Sequence, residues 1–333
     1  MQTINFVLLG HVDHGKSTCA GRILMDTGTV QKQEIDKAIK DAELNNMKSW
    51  WLAYLLDVND DERIKGKTVE YTTVPITYKN RQMQLIDVPG HKQYISEMIS
   101  GTAKASIAVL ICSAKKGEIE SGLKGQTYEH LILARGLGIK TLIVGVNKMD
   151  HESVNWSDVI FQDICAKITK LISKLKFQNV RFVPISALDG TNVVGDCKLQ
   201  SYYKLQSHCK LQSPNDRQQS LMDMILETDI EVSNSASYNG VSEITASCIF
   251  LDVKSIISIG YRCVLHSHQL VDEHSKNVLV ECEINNIYGK KPFITKNDKG
   301  HIKVQFKLDE PVNLNSFIIL RSGDATIGIG KII

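Results

Sequence analysis

The chain has 333 residues, of which 43% are hydrophobic, and a formal net charge of +2. That length fits two domains, or three, the apolar content is ample for a sizeable core, and the near-neutral charge speaks neither for nor against nucleic acid. Eight cysteines without a C-x-x-C pair speak against a disulfide framework, a disulfide-linked partner or a cysteine-built zinc site, and for the reduced thiols of a cytoplasmic protein.

The first apolar run, Ile4–Leu9, reads as a strand that starts almost at Met1 and leaves no room for a signal peptide. It feeds Gly10-His11-Val12-Asp13-His14-Gly15-Lys16-Ser17, which fits the phosphate-loop pattern G-x-x-x-x-G-K-[ST]. Thr18–Met25 follows with apolar residues at helical spacing. Strand, Gly-rich turn and helix put the amides of Asp13, His14, Gly15, Lys16, Ser17 and Thr18 around a polyphosphate. Lys16 reaches the outer phosphates, and the Ser17 hydroxyl is a Mg2+ ligand.

Residues 29–66 are charged and helix-prone, with Trp50-Trp51 in the middle read as local packing. A charged insertion at this point is where a nucleotide-sensing switch belongs. Val69–Tyr78 and Arg81–Asp87 form a hairpin across Lys79-Asn80. It ends in Asp87-Val88-Pro89-Gly90-His91. Asp87 is placed to hold Mg2+ through water, the Gly90 amide to meet a γ-phosphate, and His91 to orient an attacking water.

Ser106–Ser113 is a buried strand whose apolar stretch is too short to span a bilayer, so no membrane partner is expected. Gln126–Gly136 is an amphipathic helix, and Thr141–Val146 a further strand ending in Asn147-Lys148-Met149-Asp150. In N-K-x-D the Asp150 carboxylate accepts from guanine N1–H and the 2-amino group. Asn147 meets the other base edge, and the Lys148 stem covers the base face. Adenine would leave the carboxylate unsatisfied, so the site selects GTP and GDP over ATP. After helix Asp158–Lys176 and strand Arg181–Ile185, the amides of Ser186, Ala187 and Leu188 face guanine O6. Contacts at the carboxyl ends of successive strands follow the rule for open α/β sheets.

The sequence Lys-Leu-Gln-Ser recurs three times within 197–213, at Lys198, Lys204 and Lys210. Leucines six apart share no helix face, and the stretch reads as an expanded surface loop inserted in the first domain. Leu221–Glu227 is that domain's last helix. The expected organisation is a nucleotide-binding domain over 1–230, a linker over 231–242, and a β-barrel over 243–333. The barrel strands are Ile244–Phe250, Arg262–His268, Val278–Ile284, His301–Leu308, Ser316–Arg321 and Thr326–Ile332. The fold class is α/β: a P-loop domain with a mixed, mostly parallel sheet, then a small antiparallel barrel.

The letters within these motifs resemble the translational GTPases of the elongation factor Tu and elongation factor 1 alpha superfamily. Within it they are most similar to the eukaryotic class II peptide-chain release factors. The resemblance rests on G-H-V-D-H-G-K-S and D-V-P-G-H, on Glu62–Glu70, on Ser113–Glu118 with Gly125-Gln126-Thr127, and on Val154–Ser157. It extends to Ser258–Tyr261 and the tail Phe317–Arg321 with Thr326–Lys331. It implies Mg2+-dependent GTP hydrolysis stimulated on the ribosome, with a class I release factor docked on the C-terminal barrel. It also implies Thr68 as the switch threonine on Mg2+, His91 as the water-positioning residue, and Asp13 as a further ion or water ligand. The family's middle barrel and N-terminal extension have no counterpart in these residues. The alternatives are a ribosome-rescue or elongation role, and a GTP-gated binding module without efficient turnover.

Overall fold

A computed structural model of the chain describes residues 3–47, 50–56, 71–90, 94–118, 126–173, 175–195, 219–228, 237–250, 256–271, 274–289, 291–295, 302–315, 317–323 and 325–333. Thr68, His91 and the Lys-Leu-Gln-Ser repeat lie outside them. The chain divides into two compact units, Met1–Arg135 with Ile139–Ile230, and Gly136–Gly138 with Glu231–Ile333.

In the first unit, strands β1 (Ile4–Leu9), β2 (Thr72–Tyr78), β3 (Arg81–Asp87), β4 (Ile107–Ser113), β5 (Thr141–Asn147) and β6 (Asn179–Pro184) form one sheet in the order β2-β3-β1-β4-β5-β6. Every pairing is parallel except β2–β3. β4 and β5 are buried at every position. That explains their unbroken apolar letters, because a central parallel strand is covered on both faces. The β2–β3 turn has Lys79 at φ +45° and Asn80 at φ +63°, the two left-handed residues that a tight hairpin requires. β1 has β3 on one side and β4 on the other, so the chain reverses its direction of sheet growth there. A crevice at that point, outside the carboxyl ends of the strands, is where open sheets bind ligands.

The helices are α1 (Lys16–Asp26), α2 (Lys32–Leu44), α3 (Ile95–Thr102), α4 (Gln126–Gly136), α5 (Asp158–Ile172) and α6 (Leu221–Leu226). α2 turns part of the helix-prone insertion into a defined element, its first turn fixed by a capping box between Gln31 and Glu34. Ala38 and Ala42 on α2 and the buried Tyr54 form a small cluster, with Trp50 and Trp51 packed against it. Gly21 lets α1 approach this segment closely: a Cβ there would lie 1.9 Å from the Leu52 carbonyl oxygen. α3 carries no signal long enough to read from sequence.

In the second unit, β7 (Ser237–Phe250), β9 (Arg262–Val271), β10 (His274–Tyr288), β12 (Ile302–Asn315), β13 (Phe317–Ser322) and β14 (Ala325–Ile332) close into a barrel ordered β10-β12-β7-β14-β13-β9. Two short strands, β8 (Ile257–Ser258) and β11 (Phe293–Ile294), pair with each other. Alternate residues fill the interior: Ile244, Ala246, Cys248 and Phe250 from β7, and Val304, Phe306 and Leu308 from β12. The six expected strands are present, but four of them, β7, β9, β10 and β12, run several residues longer. β7 begins at Ser237, inside the stretch expected to be linker, because Tyr238 and Val241 pair with Leu314 and Val312 of β12. Cross-strand pairing overrides the turn-rich letters there. The fully buried Ile284 sits at a register shift on β10. Ile284→Val is expected to cost about 1 kcal/mol, read as a lower urea midpoint at unchanged slope.

Candidate nucleotide-binding site

The loop after β1 is built from residues that tolerate a left-handed backbone. Gly10, Asp13 and Gly15 stand at φ +140°, +66° and +87°. A Cβ on Gly10 would lie 2.2 Å from the Ile111 carbonyl oxygen on β4, and one on Gly15 would lie 2.4 Å from Asn147 Nδ2. Both glycines are therefore required by conformation and by space.

α1 starts at Lys16, which the loop buries almost completely (7% exposed). Its ammonium donates to the His11 carbonyl at 3.1 Å. Burial pushes its pKa below the usual lysine value, and the nearby Asp87 and Asp13 charges only partly oppose that. Gly90 closes the other side, where a Cβ would fall 2.5 Å from Lys16 Nζ and 3.3 Å from the Gly10 oxygen and the Val12 nitrogen. The cradle is one that any side chain at position 90 would fill. Next to Lys16, Ser17 Oγ donates to Asp87 Oδ2 at 2.9 Å, with Asp87 buried at the end of β3. A hydroxyl beside a carboxylate is a hard oxygen donor pair, and it fits a magnesium ion.

On the base side, the buried Asn147 bridges two loops: its Nδ2 donates to the His14 carbonyl at 2.9 Å, and its Oδ1 accepts from the Ala187 amide at 2.9 Å. Both ends of the amide side chain thus hold protein backbone. Lys148 stands at φ +63° and reaches back over the phosphate loop, donating to the Asp13 carbonyl at 2.7 Å. The same ammonium lies 2.7 Å from Glu118 Oε2. Asp150 is exposed in the turn that follows β5. Ser186 is buried, its amide donates to the Thr191 carbonyl at 3.1 Å, and its hydroxyl accepts from the Asp189 amide at 3.3 Å. Leu188 is exposed. Arg22 on α1 donates to the carbonyls of Ala187 and Leu188 and so ties this third loop to the phosphate-loop helix. Thr18 lies half-buried in the first turn of α1, and Asp13 is exposed.

The structure therefore brings the phosphate loop, Asp87, Gly90, the Asn147–Asp150 turn and the Ser186–Leu188 loop to one end of the sheet. Sequence reasoning did not single out Arg22, Glu118 or His130 as site residues. His130, on α4, is buried, and it hydrogen-bonds the Gly10 backbone. Burial, then the charges of Lys16 and His11, push its pKa down to about 3. His14 is also buried. Burial, with lesser contributions from His11, Lys16 and Lys148, holds it at about 4 against a hydrogen bond with the Glu118 carbonyl. Both imidazoles are neutral at pH 7 in an interior that disfavours further positive charge.

A strand, a loop with three left-handed residues and a helix opening on a buried lysine, at the point where the sheet reverses its growth, define a P-loop nucleotide-binding protein. The N-K-x-D turn against the same loop makes it the guanine-nucleotide class. The chain belongs to the elongation factor Tu GTP binding domain family, which matches residues 1–230. It is similar to the eukaryotic peptide chain release factor GTP-binding subunit of Schizosaccharomyces pombe, 30% identical over 422 aligned positions covering 99% of this chain and 63% of that one. The subunit of the same name from Dictyostelium discoideum is 41% identical over 195 positions, covering 57% of this chain and 35% of that one. The chain thus spans about 63% of the length of the first of these relatives. The 422 aligned positions against 333 residues leave at least 89 at which the Schizosaccharomyces protein has residues and this chain has none. In fold, the chain is similar to the S. cerevisiae Ski7 GTPase-like domain bound to GTP, with a TM-score of 0.71 at 15% identity, covering 99% of this chain and 97% of that one. Among the described residues, no helix is long and apolar enough to cross a membrane.

Proposed function

We propose that this chain is a Mg2+-dependent GTP hydrolase of translation termination, acting in the cytoplasm with a class I release factor on the ribosome. The observation that carries the reading is the convergence of the buried Lys16 ammonium, the Gly90 backbone and the Ser17–Asp87 pair on one cradle at the carboxyl ends of β1 and β3. The release-factor relatives support the choice of pathway.

In this reading the amides of residues 13–18 and Lys16 hold the triphosphate, and Lys16 gives up its bond to the His11 carbonyl to do so. Ser17, Asp87 and Thr68 hold the magnesium ion, which neutralises charge that develops on the phosphates. Thr68 and the Gly90 amide report the γ-phosphate, and His91 orients the attacking water. Asp150 reads guanine, and the Lys148 stem covers the base face. Asn147 keeps the base-reading turn and the Ser186–Leu188 loop in register with the phosphate loop, as its two hydrogen bonds support. Most of the barrier lowering then comes from positioning and charge neutralisation. Asp150→Ala is expected to weaken GDP binding about tenfold to a hundredfold while leaving the weak binding of ADP unchanged, as measured by calorimetry.

One observation favours a second reading. α6 ends at Leu226 and β7 starts at Ser237, so no middle barrel stands between the nucleotide domain and the C-terminal barrel. A chain without that barrel fits a GTP-gated module that occupies its partner without turnover. GTP turnover measured alone, with ribosomes, and with ribosomes plus a class I release factor separates the two. Stimulation only in the full mixture, lost in His91→Ala, supports the termination GTPase. Tight GTP binding with flat turnover in all three settings supports the binding module and sinks the first reading.

A further inference from the structure

We propose that Glu118 is a positioning residue for guanine recognition: it clamps the Lys148 ammonium against the phosphate loop and thereby fixes the turn that carries Asp150. The inference rests on the proposed reading of Asp150 as the guanine selector.

Lys148 needs such a clamp. It occupies the left-handed region at φ +63°, where a long side chain without a local hydrogen-bonding group gains nothing to offset the strain. Two acceptors on two different segments hold its ammonium: the Asp13 carbonyl and the Glu118 carboxylate, each at 2.7 Å. The carbonyl alone orients the ammonium but cannot neutralise it, beside a loop that already carries Lys16. The carboxylate does both.

Glu118 is itself fixed at both ends. Its second carboxylate oxygen lies 3.1 Å from Lys115 Nζ, and its backbone carbonyl pairs with His14 Nε2 at 3.3 Å. Burial alone would raise its pKa, but hydrogen bonds from Lys148, Ser113 and Lys115 outweigh this and hold it at about 2. Glu118, five residues beyond β4, therefore joins the phosphate loop to the base-reading turn.

An ordinary exposed ion pair contributes little, and the local Lys115–Glu118 pair is of that kind. The Lys148 contact differs: both side chains are about 70% buried (29% and 27% exposed), and the ammonium is shared with a backbone carbonyl. It also closes a 30-residue sequence separation. Without Glu118, the Lys148 stem is free to leave the base face, and Asp150, two residues on, loses its fixed position.

The test uses the full chain and calorimetry with GDP, IDP and ADP. IDP lacks only the 2-amino group that Asp150 reads. Glu118→Ala is expected to weaken GDP binding about tenfold, the scale of one charge-assisted hydrogen bond. It should also lower the preference for GDP over IDP about threefold, which is smaller because Asp150 stays in place but less well aimed. Glu118→Gln retains an acceptor oxygen and should recover part of both losses. The double variant with Lys148→Ala should bind no more weakly than Lys148→Ala alone, because Glu118 acts through that lysine. A Glu118→Ala protein with wild-type GDP affinity overturns the clamp. So does one that loses GDP and IDP equally and adds to Lys148→Ala, since a scaffold role alone would do that. A wild-type chain that binds GDP and ADP alike overturns the guanine reading and the clamp together, which separates the two failures.

Discussion

Lys16→Met is expected to abolish nucleotide binding at micromolar GTP and, in the same protein, to raise the stability of the nucleotide-free fold. The two effects have one origin. Lys16 is buried with its ammonium on the His11 carbonyl, and burial lowers its pKa. Against phosphates it would form about two charge-assisted hydrogen bonds, each contributing roughly 1.5–3 kcal/mol, so their loss weakens GTP about a hundredfold to ten-thousandfold. Without phosphates the desolvated ammonium is a liability of several kcal/mol, partly offset by the bond to His11. Methionine fills a similar volume without a charge, so the nucleotide-free midpoint should rise by about 1 kcal/mol or more.

The pH dependence follows with a definite sign. A lysine whose folded pKa is depressed binds its proton less tightly in the native state than in the unfolded chain. Nucleotide-free stability therefore grows as pH rises toward the ordinary value of 10.5. The Lys16→Met protein should lack that slope. Chemical denaturation at several pH values above neutrality reads it directly, and an unchanged slope would mean that Lys16 is solvated.

Mild acid should destabilise the first unit before its carboxylates titrate. His14 and His130 are depressed from 6.5 to about 4 and about 3. The charges and dipoles that face them are His11, Lys16, Lys148 and the Glu118 carbonyl for His14, and Lys16, His11 and the Gly10 backbone for His130. A depressed folded pKa contributes stability that is complete above the unfolded value and is lost as pH falls through the folded one. The window thus opens near pH 6.5 and closes near pH 3 to 4. At pH 5 each histidine withdraws roughly 2 kcal/mol, so the pair costs about 4 kcal/mol relative to pH 7. Urea midpoints at the two pH values measure this, and His130→Gln should halve the difference. Equal midpoints at pH 7 and 5 would show that neither imidazole is desolvated.

How much could be read in the letters depended on how local each cause was. The phosphate loop was legible because Gly10 and Gly15 are dictated by backbone angles and by contacts that forbid a Cβ. β4 and β5 were legible because burial on both faces leaves an unbroken apolar run. The hairpin at Lys79-Asn80 was legible because its turn needs left-handed residues. Causes that act across long separations were silent. Glu118 meets a lysine 30 positions away, and Arg22 grips the Ala187 carbonyl 165 positions away, so nothing near either residue marks it. The polar opening of β7 resembled a linker because its pairing partners on β12 lie more than seventy positions on.

The closed C-terminal barrel also restricts how this chain can hold another protein. In the closed ring each of the six strands has a neighbouring strand on both sides. Among the described residues, an incoming peptide therefore finds no open ladder within the ring itself, and strand addition is barred there. Recognition there falls to outward side chains, such as the exposed Leu279 and Tyr288 of β10. Such a surface distinguishes partners by shape and chemistry rather than by backbone alone. The closed ring itself is also protected from the edge-to-edge self-association that open sheets risk.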